Sequence, residues 1–236
     1  MKFLAIDSTG AVATCALLEN EDLIAKKKIN SGLKHSEILL PMIKEMLCES
    51  SLKVSDIDIF VCSTGPGSFT GVRIGAATIK GLAFGRKACV GVSSLEALAY
   101  SLTDKEGIIS AVMDARRDQL YNALFKCSGG KIERITDDRV VSATELADEL
   151  AGYSDDVYLV GDGYSVAMKA VKSDNVKETP EDQRDADAEG VARLGLKVYK
   201  ESGAVSDLEL LPTYLRVPQA ERERNERLMK ETASSK

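Results

Sequence analysis

Apolar and polar positions near the start of the chain fall into three strand-length stretches, Lys2–Asp7, Ala11–Leu18 and Asp22–Ile29, separated by tight turns at Ser8–Gly10 and Glu19–Glu21. Connections this short join antiparallel neighbours, so the pattern predicts an opening meander. From Leu33 to Ser50 the period lengthens: Leu39, Met42, Ile43, Met46 and Leu47 recur at helical intervals, and a strand follows at Ile57–Ser63. After a turn at Thr64–Phe69, the segment Thr70–Gly85 reads as a second helix, Ala88–Val92 as a strand, and Ser94–Leu102 as a third helix opened by a serine cap.

From Gly107 the pattern starts again. Ile108–Asp114, Gln119–Lys126 and Lys131–Val141 read as strands, Ala143–Ala151 as a helix, Val157–Gly161 as a strand and Asp182–Ser202 as the last clear helix. This order resembles the duplicated unit of the actin/Hsp70/sugar-kinase superfamily, an α/β fold of two βββαβαβα-type lobes, here with the second lobe abbreviated. The expected division is an N-terminal lobe over 1–104, a C-terminal lobe over 105–216 and a charged tail over 217–236. That tail has too little apolar content to support a core and reads as a solvated helix or as disordered. Asp7 and Asp114 each end the first strand of a half, so the duplication predicts two carboxylates facing one another across a cleft.

Composition narrows the range of roles. Acidic residues outnumber basic ones, for a net charge of -6 and a pI near 5.1, so the surface on average repels phosphate backbones, and contact with RNA is expected only through a partner. No apolar run reaches bilayer-spanning length, and Asp7 interrupts the first apolar stretch before a signal core could form, so the expected location is cytoplasmic with no membrane partner. The cysteines number five and form no CxxC pair, and Cys15, Cys62 and Cys89 read as small buried hydrophobes in strands.

The sharpest local signal is Gly65-Pro66-Gly67-Ser68-Phe69-Thr70-Gly71-Val72-Arg73-Ile74-Gly75, between a strand and a helix. Glycines before a helix start suit an anion, but no Lys-Ser/Thr pair follows as in a Walker loop and the spacing is not GxGxxG. Close packing of the glycines, with the apolar helix buried on two sides by the sheet and by a neighbour, is the favoured reading. His35 is the only histidine, which rules out a HExxH or His-pair metal site; it reads as a helix-opening residue or an interface hydrogen-bonder. Asp7 with Ser8 and Thr9 could still turn around a phosphate. Asp114 runs into Ala115-Arg116-Arg117-Asp118, where an internal ion pair with Arg116 and anion binding remain alternatives. The enzymatic alternative is an ATP-dependent phosphotransferase or ATPase with Asp7 and Asp114 around magnesium. A peptidase finds no nucleophile–base set.

Five blocks together resemble the bacterial TsaB (YeaZ) family: Phe3–Thr9, His35–Pro41, Gly65–Arg73, Asp114–Tyr121 and Pro212–Arg216, in order from Met1 to about Arg216. The resemblance implies an actin/Hsp70-like fold and a non-catalytic subunit that supports a TsaD-like paralogue, with a TsaE-like ATPase, in making threonylcarbamoyladenosine beside the tRNA anticodon. It also implies homodimers of the free chain, tRNA contact only within the complex, no required cofactor, and weak ATP or ADP binding left open. The metal-binding HHxxxH motif of TsaD-like enzymes falls on Val92–Leu98, where Ser93, Ser94 and Leu98 stand at the ligand positions, so no such metal is expected. The two early helices of the family pack as a four-helix bundle with the partner, which points to Leu39, Ile43, Met46 and Leu47 on the first and Val72, Ile74, Thr78 and Leu82 on the second. A vestigial nucleotide cleft would comprise Asp7, Ser8, Thr9, Asp114 and Arg116.

Overall fold

The computed structural model describes residues 1–32, 34–86 and 88–216. The expected helix start at Leu33 and the charged tail lie outside them. β1 (Lys2–Asp7), β2 (Ala13–Glu19) and β3 (Asp22–Ile29) form the antiparallel meander, and α1 (His35–Glu49) leads to β4 (Ile59–Gly65), which lies parallel to β1. α2 (Phe69–Leu82), β5 (Cys89–Ser93) and α3 (Ser94–Ala99) complete the first repeat, whose sheet has the order β3-β2-β1-β4-β5.

The second repeat supplies β6 (Gly107–Asp114), β7 (Gln119–Ser128), β8 (Lys131–Arg134), β9 (Arg139–Ser142), α4 (Ala143–Ala151), β10 (Val157–Val160), α5 (Tyr164–Ala170), β11 (Val176–Lys177) and α6 (Ala188–Ser202). Its sheet runs β11-β10-β6-β7-β8, which read from the other edge is the same order as the first. An order repeated with the same parallel and antiparallel pairings is the signature of duplication, and the fold is α/β of the actin/Hsp70-like kind. The second copy is abbreviated: α4 and α5 have 9 and 7 residues where α1 and α2 have 15 and 14.

Three differences from the sequence-based expectation have local causes. The strand expected over Lys131–Val141 is broken by a bulge at residues 135–138: β8 and β9 pair with the two ends of β7, and between them the Ile135 N–H donates to the Leu124 carbonyl at 2.8 Å while the Thr136 hydroxyl accepts the Leu124 N–H at 2.9 Å. Arg134 holds the bulge by bonding the Thr136 carbonyl and the Asp138 carboxylate. The helix expected from Asp182 begins at Ala188, where the Asp187 side chain accepts the Glu189 N–H at 2.8 Å. α5 and β11 had no expected counterpart; both are too short for periodicity to reveal.

β1 alternates its side chains between two cores. Leu4 and Ile6 join α1 and α2 on one face, while Phe3 and Ala5 join Val191 and Leu194 of α6 on the other. α6 therefore closes the first sheet although it comes from the end of the chain. Gly195 allows that approach, since a Cβ there would lie 2.4 Å from Val61. Cys15, Cys62 and Cys89 are buried; desolvation raises the thiol pKa of Cys15 to about 12. No helix of the described residues is long and apolar enough to cross a membrane.

Candidate functional site

A cleft of about 560 Å³ opens where the C-terminal ends of β1, β4 and β6 meet the loop after β10. Thr9, Gly67, Ser68, Asp114, Arg116 and Asp162 are among its walls, with Thr213 to Arg216 across its mouth. The glycine block forms the loop between β4 and α2, with Ser68 as N-cap accepting the Gly71 N–H at 3.3 Å. Its glycines press on the β1–β2 turn. A Cβ at Gly71 would lie 1.9 Å from the Ser8 carbonyl oxygen, and one at Gly67 would lie 2.6 Å from that of Thr9. The Ser68 N–H, at the start of the helix where an anion would bind, instead donates to the Thr9 carbonyl at 2.7 Å. Ser8 seals the same joint by donating its hydroxyl to the Gly71 carbonyl at 2.9 Å.

The carboxylates are arranged differently from the expected facing pair. Asp7 is buried, and its Oδ1 accepts the Thr9 N–H at 2.7 Å and the Thr9 hydroxyl at 2.9 Å. Burial pushes the Asp7 pKa up, against the pull of these bonds. Asp7 and Ser8 are therefore a correction: they are turned into the joint and do not line the cleft, whereas Thr9, Asp114 and Arg116 do. Asp114 Oδ1 accepts the Arg116 N–H at 2.7 Å and Oδ2 pairs with the Arg116 guanidinium at 3.2 Å, which favours the ion-pair alternative. A third acid, Asp162, which no sequence motif marks, joins Asp114 in the cleft. Its Oδ1 accepts the Asp114 N–H at 3.1 Å, and desolvation in the cleft, followed by the nearby charges of Asp114 and Asp7, raises its pKa. His35 opens α1 and points its Nε2 at the Gly10 carbonyl, 2.9 Å away, so the helix-opening reading describes it.

The Pro212–Arg216 block acts as a strap. The Thr213 N–H donates to the Thr64 carbonyl at 2.7 Å, and Gly65 leaves room for the Thr213 carbonyl. Tyr214 lies on Phe69 with centroids 5.0 Å apart and accepts from Arg73 Nε at 3.0 Å, while Arg216 donates to the Ala115 carbonyl at 3.0 Å. The strap thereby ties the start of α2 to the β6–β7 turn across the mouth of the cleft.

A family model described as "TsaD: tRNA N6-adenosine threonylcarbamoyltransferase" matches residues 29–221. The Bacillus subtilis protein named tRNA threonylcarbamoyladenosine biosynthesis protein TsaB is 31% identical over 227 residues, covering 94% of this chain and 96% of that protein. The Haemophilus influenzae protein of the same name is 30% identical, over 92% and 94% of the two chains. The chain belongs to the TsaB (YeaZ) family. A solved Pseudomonas aeruginosa structure, described as an uncharacterized protein with similarity to peptidase YEAZ, superposes with a TM-score of 0.77 at 25% identity, over 91% of this chain and 99% of that one.

The blocks that mark TsaB resemblance converge in space: Phe3–Thr9, Gly65–Arg73, Asp114–Tyr121 and Pro212–Arg216 all meet at the cleft. The expected partner residues divide. Leu39, Ile43, Met46 and Leu47 of α1 and Val72 of α2 are at most 4% exposed, because the apolar arc of α1 is used up against the first sheet. This corrects the expectation that they meet a partner. Ile74, Thr78 and Leu82 are half-buried on α2 beside exposed Ala77 and Gly81, with Ile74 and Leu82 packing in part against the first core, and Leu40 and Pro41 are exposed apolar residues of α1. Ser93, expected from the resemblance to stand at the first ligand position of a TsaD-type metal motif, caps α3 by accepting the Glu96 N–H and donates to Asp138 at 2.7 Å. Ser94 and Leu98 are buried.

Proposed function

We propose that this chain is a non-catalytic subunit in the formation of threonylcarbamoyladenosine on tRNA, supporting a TsaD-like enzyme through the outer face of α2, with a TsaE-like ATPase completing the set. Membership of a family whose curated relatives carry that biosynthetic name supports the pathway. The observation that carries the division of labour is the sealed joint between the β1–β2 turn and α2. The Ser68 N–H of that helix start is bonded to the Thr9 carbonyl, and Asp7 is held by its own loop. A phosphotransferase using Asp7 and Asp114 is less well supported for the same reason.

On this reading Ile74, Thr78 and Leu82 form a shallow apolar strip, and Ala77 and Gly81 let a neighbouring backbone come close. The free chain uses the same strip to pair with itself, tRNA reaches it only in the complex, and no cofactor is needed. Replacing Ile74 with Glu puts a charge at one end of the strip, beside the start of α2. Affinity for the TsaD-like partner should fall at least tenfold, about 1.4 kcal/mol, with the circular dichroism spectrum unchanged. Undiminished co-purification would remove the strip from the interface.

A further inference from the structure

We propose that the outer rim of the cleft, formed by Arg73, Arg116, Arg117 and Arg216, is a contact surface for the phosphodiester backbone of the RNA substrate within the complex; this rests on the function proposed above. Elsewhere Arg134, Arg139, Arg184 and Arg193 are each bonded to a carboxylate. Among the described residues Arg73, Arg86, Arg117 and Arg216 have no carboxylate partner; Arg86, away from the cleft, donates to the Ile57 carbonyl and lies over Phe60, while Arg116 has Asp114 alone and its side chain is 84% exposed. In a chain with net charge -6, the four at the cleft lie along one line, with Asp114 and Asp118 as the acids of the same turn. Arg73 touches Tyr214, Arg216 follows two residues later and holds the Ala115 carbonyl, and Arg116 and Arg117 come next on the β6–β7 turn.

The backbone of that turn is the second observation. Arg116, Arg117 and Asp118 have φ of 68°, 57° and 55°, the left-handed region, which costs a non-glycine residue roughly 1–2 kcal/mol. Glycine would fit at lower cost, so two long cationic side chains are kept at strained positions where they contribute nothing to the core. Cations spaced over three separate elements suit a polymer with repeating charge better than one small anion. The acidic remainder of the surface repels that polymer and so orients it.

The test uses the reconstituted complex and a tRNA transcript, with this chain as wild type or as Arg116→Gly/Arg117→Gly, a double variant that removes both guanidinium groups while easing the turn. The variant should melt no lower than wild type and bind the partner equally. Its complex should bind tRNA about fivefold more weakly near 0.1 M salt, and the slope of log affinity against log salt should flatten by roughly 0.7–0.9 for each lost phosphate contact. Unchanged tRNA affinity and slope would overturn the rim proposal alone, as would loss of partner binding, which would make the rim a protein contact. A wild-type chain that leaves the complex's tRNA binding and partner association unaffected would instead overturn the functional reading beneath it.

Discussion

Gly71→Ala should destabilise the isolated chain by about 3 kcal/mol, at the upper end of what an overpacked core usually costs. The added methyl would lie 1.9 Å from the Ser8 carbonyl oxygen, a backbone atom that cannot rotate away. Relieving the clash means separating α2 from the β1–β2 turn, which strains the Ser68–Thr9 and Ser8–Gly71 hydrogen bonds as well. The same substitution nearly three turns on should act in the opposite sense. At Gly81 a Cβ meets nothing within 4 Å, so Gly81→Ala should stabilise the helix by roughly 0.5–1 kcal/mol. Guanidinium denaturation midpoints of the two variants, at constant slope, read both signs. A neutral Gly71→Ala would mean the joint is not close-packed.

Asn122→Ala should cost a similar amount, about 3 kcal/mol, for an electrostatic reason. Asn122 is fully buried in β7; its Nδ2 donates to the Ser110 hydroxyl at 3.1 Å and the Ala111 carbonyl at 3.0 Å, and its Oδ1 accepts from Arg139 Nε and Nη2. Arg139 is in turn bonded to Glu149 of α4, so one amide connects β6, β7, β9 and α4. Alanine leaves the buried Ser110 hydroxyl without this donor, at roughly 1–3 kcal/mol for a buried orphan, and adds a cavity, while Arg139, 30% exposed, loses one acceptor and keeps Glu149. For a chain of this size that corresponds to a melting temperature lower by roughly 6–12 °C. A loss below about 1 kcal/mol would show that the network relaxes around the gap.

Much of the architecture was legible because its periods are clean. The meander and α1 are marked by alternation and by Leu39, Met42, Ile43 and Met46, and the restart at Gly107 by a strand ending in an acid, as at Asp7. Periodicity gives the width of an apolar arc but not what covers it, which is why the α1 residues were assigned to a partner when the first sheet already buries them. Asp162 was missed because no motif surrounds it, yet the duplication held a signal. Gly161-Asp162-Gly163 follows β10 as Gly65-Pro66-Gly67 ends β4, and Gly161 and Gly65 share a positive φ, 115° and 124°. Pro212–Arg216 stands out as a family block, but its role as a strap does not: it makes no periodic element, and its partners Thr64, Arg73 and Ala115 are about a hundred residues or more away in the chain.

The central claim, that this chain assists the chemistry without performing it, is tested most directly by tRNA modification in a reconstituted mixture of the TsaD-like enzyme, the TsaE-like ATPase, ATP and the threonylcarbamoyl donor. This chain is left out, then restored as wild type or as Asp114→Asn. The account predicts no threonylcarbamoyladenosine without the chain, and equal restoration by both forms. An Asp114→Asn chain that still joins its partner but fails to restore the product would contradict it.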